Sequence, residues 1–157
     1  MKSSVYIETS VISYLTARPS SDVRSAAFQN ITVDWWDNRR SDFDLYVSEF
    51  VIVEASRGNK EASARRLSAI NNIAELRITE AVRILGNALI KEGALPEKAA
   101  LDAFHVAVAT VNGINYLLTW NCAHIANAVM RPKIESICRK NNYEPPIICT
   151  PSELLES

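Results

Sequence analysis

The chain has 157 residues, of which 48% are apolar and 22% charged, and 17 Lys and Arg residues against 18 Asp and Glu residues give a formal net charge of -1. These figures are typical of one globular domain spanning residues 1–157, and they exclude an intrinsically disordered chain or a disulfide-stapled miniature scaffold. The near-neutral charge argues against a protein that coats DNA or a membrane through a bulk basic field, although it allows a local basic strip.

The sequence also bears on location and redox state. No stretch approaches about 18 uninterrupted apolar residues, and residues 1–8 lack the apolar segment and cleavage site of a signal peptide. We therefore expect a cytoplasmic protein with no membrane partner. The cysteines, Cys122, Cys138 and Cys149, are odd in number, which favours reduced thiols over a disulfide framework.

In the first half of the chain, short β-prone runs alternate with helical patterns. A strand is predicted over residues 4–7, then a short helix to Leu15 that Thr9 or Ser10 caps. A long amphipathic helix over 22–40, a strand over 44–47 and a helix over 49–57 that Gly58 ends follow. The last elements of this half are a helix over 60–70 and a strand over 74–78.

The second half continues the alternation. Helices are predicted over 80–92, from Pro96 at the first turn to Val111, over 123–128 and from Pro132 to Lys140. Strands are predicted over 114–119 and 147–149, before a terminal turn over 151–155. Strands separated by helices indicate an α/β fold with a central, mostly parallel sheet of about four to five strands and helices on both faces. Ligands of such sheets bind beyond the carboxyl ends of the strands.

The most informative polar residue is Asp102. Between Ala99 and Ala109 only Asp102 and His105 are polar, so the helix is expected to be buried on most of its circumference. An ionised carboxylate there costs several kcal/mol unless a cation, a donor cluster or hydrated space compensates it. Asp102 is therefore a candidate site residue, and the alternative is a buried Asp that caps a loop or pairs with an Arg.

Three further residues are candidates. Glu8 ends the first predicted strand, where an acid is also favoured by the dipole of the following helix. Glu54 lies in an apolar helix, and Arg57 at i+3 offers it an ordinary salt bridge. Asn121 follows the strand over 114–119, where a turn-forming Asn is the default.

Together, Glu8, Glu54, Asp102 and Asn121 make a stronger case, since two sit at strand ends and two on adjoining helices. Three carboxylates in one pocket repel each other unless a cation neutralises them. Oxygen ligands favour Mg²⁺ or Mn²⁺ over zinc, and a hard ion with bound water suits phosphodiester hydrolysis.

Other residues are weaker candidates. A histidine on an apolar helix, as at His105, is more often satisfied within the core than catalytic, and Cys122 with His124 lacks the second ligand pair of a zinc site. Trp35 and Trp36 are expected to pack the long helix rather than stack on bases, whereas the role of Trp120 stays open.

Basic residues cluster in two segments, 57–66 and 131–140, each with four basic residues and one acidic residue. Such segments are ordinarily solvated helix faces. Near an acidic metal pocket they would instead bind the phosphates that flank the cleaved one. Arg57, one turn from Glu54, is the better candidate for binding such a phosphate.

Four ordered segments of the chain resemble the acidic positions of PIN-domain proteins, and within these the VapC-type toxins of bacterial toxin–antitoxin pairs. The segments are Tyr-Ile-Glu-Thr-Ser-Val (6–11), Glu54 after a helix start led by Ser48, Asp-Ala-Phe-His-Val-Ala (102–107), and Leu-Leu-Thr-Trp-Asn (117–121). The resemblance extends over the whole chain to Pro151.

The resemblance implies a three-layer α/β/α PIN-like fold and a Mg²⁺- or Mn²⁺-dependent endoribonuclease. It further implies a homodimer held inactive by a small antitoxin that covers the active site. Carried over residue by residue, Glu8, Glu54 and Asp102 are the acidic site and Asn121 takes the fourth position. The first and fourth positions are usually Asp, so we expect one firmly bound metal at most.

Two hypotheses follow from the sequence. In the first, Glu8 and Asp102 hold the metal, Glu54 positions or deprotonates water, and Asn121 supports the water shell. In the second, Glu8 and Asn121 mark a catalytically silent PIN-like module that binds RNA or a protein. A regulatory DNA-binding dimer is disfavoured because no helix-turn-helix with a basic recognition helix is present.

Overall fold

The computed structural model describes residues 1–156 and contains a five-stranded sheet in which every neighbouring pair is parallel. The strand order is β3-β2-β1-β4-β5. The strands are β1 (Ser3–Ile7), β2 (Phe43–Val47), β3 (Ala74–Glu75), β4 (Tyr116–Leu118) and β5 (Ile147–Cys149).

Helices alternate with the strands as the sequence predicts. They are α1 (Thr9–Thr16), α2 (Val23–Asn38), α3 (Glu49–Ala55), α4 (Lys60–Ile70), α5 (Glu80–Lys91), α6 (Ala100–Val111) and α7 (Arg131–Lys140). The helix α1 packs against α2 and α4, and α5 packs against α6 and α7, so two helical layers enclose the sheet. No helix among residues 1–156 is long and apolar enough to cross a membrane.

The strand order reverses at β1, which places the site. Chain order runs outward from β1 through β2 to β3 on one side, and through β4 to β5 on the other. In open parallel sheets the crevice for a ligand lies at this reversal, beyond the carboxyl ends of the strands. The backbone N–H of Glu8 donates to the carbonyl of Leu118 at 3.0 Å, which joins the ends of β1 and β4 at that point.

The sequences of β1 and α6 are almost continuously apolar because both elements are buried in the core. Val5, Tyr6 and Ile7 are fully buried, as expected for a central strand covered on both faces. In α6 every residue from Ala103 to Thr110 except Phe104 is buried. Polar groups on α6 must therefore find partners inside the protein.

The predicted helix over residues 123–128 is wrong, because this segment forms turns. The side chain of Asn121 accepts the N–H of His124 at 3.1 Å, and that of Asn127 accepts the N–H of Val129 at 2.9 Å. Asn side chains compete with the helical ladder in this way, so one turn forms and no helix continues.

Other differences are shifts of boundary. Pro96 precedes a 3-10 turn over Glu97–Ala99, and α6 begins only at Ala100. The strand predicted over 74–78 is confined to Ala74–Glu75. The helix predicted to Arg57 ends at Ala55, where the guanidinium of Arg66 donates to the carbonyl of Ala55 at 3.1 Å.

Candidate active site

Glu8 lies at the junction of β1 and α1 and is only 4% exposed. Its carboxylate accepts the backbone N–H of Ser10 at 3.1 Å and the hydroxyl of Thr119 at 2.6 Å. Glu8 is therefore the N-cap of α1, whereas the sequence predicted Thr9 or Ser10 in that position. An anion is stabilised there by the free N–H groups of the first helical turn.

Glu54 is held by α1 and α6 rather than by its own helix. Its Oε1 accepts the hydroxyl of Thr9 at 2.5 Å and faces Nε2 of His105 at 2.5 Å. The expected partner Arg57 contributes only a longer-range attraction, because the carboxylate points toward α6. These contacts fix Glu54 beside Glu8, since Thr9 follows Glu8 directly.

The ring of His105 is fully buried and both of its nitrogens are engaged. Nδ1 lies 2.7 Å from the hydroxyl of Tyr6, which lies 2.7 Å from the hydroxyl of Ser48. With Nε2–H donating to Glu54, this chain leads from Ser48 through two rings to a carboxylate. His105 therefore has hydrogen-bond partners inside the protein, as the sequence predicts for a histidine on an apolar helix.

The Glu54–His105 pair is an ionic contact in which His105 is fully buried and the Glu54 side chain is 24% exposed. Burial alone would raise the pKa of Glu54, but the hydrogen bond and charge of His105, with the Thr9 hydroxyl, hold it below its usual value. Burial alone would lower the pKa of His105, but the hydrogen bond that His105 donates to Glu54 and the negative charges of Glu8, Glu54 and Asp102 raise it. Each member therefore favours the charged form of the other.

Asp102 lies one turn before His105 on α6 and takes a different partner. Its Oδ2 accepts Nδ1–H of His124 at 2.9 Å, and the two side chains are 17% and 26% exposed. The compensation expected for a carboxylate on this helix thus comes from a histidine of the loop after β4. Asp102 is close enough to influence the charge of His105, although the two do not bond.

Asn121 lies on the same edge, beyond β4, and serves the turn. Its backbone N–H donates to the hydroxyl of Thr119 at 2.9 Å, and its Oδ1 accepts the N–H of His124. Asn121 therefore forms a turn, which is the default role for an Asn at this position. Through this bond Asn121 also positions His124, the partner of Asp102.

The structure brings Glu8, Glu54 and His105 together, with one ligand atom from each within 4.8 Å of the others. Asp102 lies outside this close group, next to it on α6. The sequence predicts His105 as a core histidine and not as a site residue. It nevertheless lies three residues after Asp102 and so on the same helix face. That spacing was the available signal.

The donor set fits a hard divalent cation. Glu54 and Asp102 each use one oxygen for protein contacts, while Oε2 of Glu54 and Oδ1 of Asp102 have no donor within residues 1–156. Oε2 of Glu8 accepts only one backbone N–H, which leaves it a second lone pair. Both nitrogens of His105 are occupied, so the available ligands are oxygens, as Mg²⁺ and Mn²⁺ prefer.

The basic segments differ in how far their charges are already used. In 57–66, Arg65 and Arg66 donate to backbone carbonyls, whereas Arg57 is exposed near Glu54. In 131–140, Arg139 pairs with Glu144 at 3.0 Å and Lys140 pairs with Glu92 at 2.8 Å. Two of the four cations of the second segment are therefore already paired with carboxylates.

The tryptophans belong to the packing. Trp35 is fully buried and Trp36 is partly buried against the core. Trp120 stacks on Phe28 with ring centroids 4.2 Å apart, and its Nε1–H donates to Thr32 at 2.7 Å. Being only 8% exposed, Trp120 has no open face for a base. The three cysteines are unpaired, with Cys122 exposed and the other two buried.

Comparisons with known proteins were made of sequence and of structure. No protein-family model and no curated protein sequence matches the chain. The crystal structure of VapC20 from Mycobacterium tuberculosis, a Sarcin-Ricin loop cleaving toxin, is similar with a TM-score of 0.53 at 16% identity, covering 72% of this chain and 86% of VapC20.

VapBC2 from Rickettsia felis, solved bound to a DNA fragment from its promoter, is similar with a TM-score of 0.53 at 13% identity. The match covers 94% of this chain and 98% of that chain. At such identities the likeness concerns the backbone. The chain has the three-layer α/β/α PIN-like fold of the VapC toxins.

Proposed function

We propose that the chain is a Mg²⁺- or Mn²⁺-dependent endoribonuclease and the toxin of a toxin–antitoxin pair. The observation that supports this most is the convergence of Glu8 and Glu54 within 4.8 Å at the point where strand order reverses, with Asp102 beside them on α6. His105 compensates the charge of Glu54, a divalent cation would compensate the carboxylates beside it, and two VapC structures share the fold.

In this proposal the cation is held by Oδ1 of Asp102 and by the second lone pair on Oε2 of Glu8. The bound ion would supply activation of water and stabilisation of charge on the phosphate. The hydroxyls of Ser10 and Thr119 and the ring of His124 keep these carboxylates in place. Such outer contacts orient metal ligands and commonly change affinity 10- to 100-fold.

Glu54 positions the attacking water rather than removing its proton. Its Oε1 is held by Thr9 and His105, so Oε2 remains to accept a hydrogen bond from water. The pKa of Glu54 is lowered, which makes it a weak base and favours orientation over deprotonation. His105 is then a positioning residue, fixed by Tyr6 and acting through Glu54.

Asn121 supports the site through His124, and its neutral amide adds no charge for a second cation. We therefore infer one firmly bound metal ion. The exposed guanidinium of Arg57 is proposed to bind a phosphate next to the cleaved one. An antitoxin partner, a homodimer, a single domain over 1–157 and a cytoplasmic location complete the proposal, supported by the VapC likeness.

The test is RNA cleavage by the purified protein. Structured RNA should be cut with Mg²⁺ or Mn²⁺ and stay intact with EDTA, and Asp102→Asn should lower the rate by about 100-fold or more. Asp37→Asn, an exposed carboxylate on α2, is the matched control and should cut like the wild type.

Equal cleavage by Asp102→Asn would sink the assignment of this residue. A catalytically silent PIN-like module, the alternative, is favoured by the use of Asn121 as a turn former. Such a module would leave RNA intact with every metal and would show no Mn²⁺ binding that Asp102→Ala removes.

A further inference from the structure

A cleft opens at the same edge of the sheet, beyond the ends of β2 and β3. Its volume is about 590 Å³, and its walls come from the start of α3, the segment after β3, α5 and α6. The N–H of Leu76 donates to the carbonyl of Val47 at 2.8 Å, which fixes the segment after β3 to the end of β2. Sites for small ligands commonly measure about 300–1,000 Å³.

Two aromatic rings form the wall nearest the candidate active site. The rings of Phe50 and Phe104 lie with centroids 5.7 Å apart, and Phe50 meets the ring of His105 edge-on at 6.1 Å. Phe104 precedes His105 in α6 and is the one partly exposed residue in the stretch from Ala103 to Thr110. The ring of Phe50 therefore lies between the cleft and His105, the partner of Glu54.

Gly86 allows Phe104 to occupy this position. A Cβ atom on Gly86 would lie 2.3 Å from the ring of Phe104, which is closer than packed atoms approach. A glycine within a helix costs roughly 0.5–1 kcal/mol relative to alanine. Because Gly86 has no side chain, the ring of Phe104 packs directly against the backbone of α5.

The rim of the cleft carries unused polar groups. The guanidinium of Arg77 has no hydrogen-bond or ion-pair partner in the part of the chain that the structure describes. Arg83 has only a loose contact with Glu80 at 3.7 Å. Glu49 and Asn87 line the cleft as well and offer an acceptor and an amide.

We propose that this cleft binds one nucleotide of the RNA substrate, next to the phosphate that is cleaved. This inference rests on the proposed function and adds a subsite to it. The base stacks on Phe104, Arg77 binds the phosphate of that nucleotide, and Glu49 and Asn87 meet the edge of the base. Proteins recognise single-stranded RNA by this combination of aromatic stacking, cations and polar side chains.

A nucleotide fits these walls better than an apolar segment of a protein partner. An apolar segment would cover the charge of Arg77 without pairing it, at a cost in solvation. A nucleotide pairs that charge with phosphate and places a flat apolar face against Phe104. The cleft shares its Phe50 wall with His105, the partner of Glu54, which places it next to the candidate active site.

The first test is binding of a labelled single-stranded RNA, measured by fluorescence anisotropy in EDTA, where the proposed chemistry is off. Arg77→Ala should weaken binding roughly tenfold and lower the slope of log Kd against log salt by about one. Arg40→Ala is the matched control, because Arg40 is exposed just before β2, at the opposite edge of the sheet.

The second test isolates the base. Phe104→Leu keeps an apolar side chain over Gly86 but removes the flat ring, and it should weaken binding about fivefold or more. An RNA with one abasic nucleotide, moved along the strand, should bind the wild type more weakly at one position only. At that position Phe104→Leu should bind the intact and abasic strands equally.

The outcomes separate this subsite from the proposed function. Wild-type affinity in both Arg77→Ala and Phe104→Leu, or no RNA binding by the wild type, overturns the subsite, while cleavage still decides the function. Folding is checked by the melting temperature. If both variants bind RNA normally but lose affinity for an antitoxin that co-purifies, the cleft is a protein-docking surface and the proposal is wrong.

Discussion

Two histidine–carboxylate pairs lie one helical turn apart on α6, and their histidines differ in burial and in what holds them. His105 is fully buried and fixed by Tyr6, although its partner Glu54 has a side chain that is 24% exposed. Asp102 and His124 meet at the surface of the site, with side chains 17% and 26% exposed. His124 comes from a segment of turns, whereas Glu54 comes from a helix.

The difference in burial between His105 and His124 predicts different costs for losing each histidine. A buried ion pair is costly to break, because the remaining partner stays desolvated without compensation. A partly exposed pair can exchange its partner for water or a ligand at low cost. We infer that His105 fixes Glu54 as part of the folded core, and that His124 orients Asp102 for the proposed metal ion.

The largest expected effect comes from breaking the buried pair. His105→Ala leaves Glu54 and Tyr6 without their partner and opens a cavity under α6, so we expect it to lower the free energy of unfolding by about 3 kcal/mol. Urea unfolding followed by tryptophan fluorescence measures this. A loss below about 1 kcal/mol would show that the pair is not the rigid element described here.

The matched change in the exposed pair is His124→Ala. Because His124 is partly exposed and lies in turns, its removal should cost less than about 1 kcal/mol of stability. Mn²⁺ affinity should nevertheless fall roughly tenfold, since Asp102 loses the group that orients it. If His124→Ala destabilises as much as His105→Ala, the contrast between the two pairs fails.

The smallest expected effect is the pH dependence of stability that the Glu54–His105 pair contributes. The pKa of Glu54 is lowered, so its contribution is complete above its ordinary value of 4.5 and is lost as pH falls through the lowered value. The pKa of His105 is raised, so its contribution is complete below 6.5 and is lost as pH rises through the raised value.

The stability difference between wild type and Glu54→Gln should therefore be largest between about pH 4.5 and 6.5, measured in urea with EDTA present. It should shrink on both sides of this window. A difference that grows steadily toward high pH would reverse the assigned direction for His105.

Much of the fold follows from local patterns. The helix Lys60–Ile70 and the strand Ile147–Cys149 match the predicted bounds, because a capping Asn59 and a short β-prone run are local signals. The helix prediction for 123–128 is wrong because it also relied on local composition. Composition does not show that the side chains of Asn121 and Asn127 accept backbone N–H groups and form turns.

The candidate site was predictable only in part. The positions of Glu8 and Asn121 at one sheet edge follow from strand ends. The pairing of Glu54 with His105 spans 51 residues of sequence and depends on how α3 meets α6, which no local pattern states. Likewise, the choice of His124 as the partner of Asp102 depends on the turns after β4.

The most direct test of the central claim is calorimetric titration of Mn²⁺ into the metal-free protein. The wild type should bind about one ion, as its three carboxylates and neutral Asn121 imply. Asp102→Asn should weaken binding at least roughly tenfold, and Asp37→Asn should bind as the wild type does. Equal Mn²⁺ binding by wild type and Asp102→Asn, or none by either, would contradict the account.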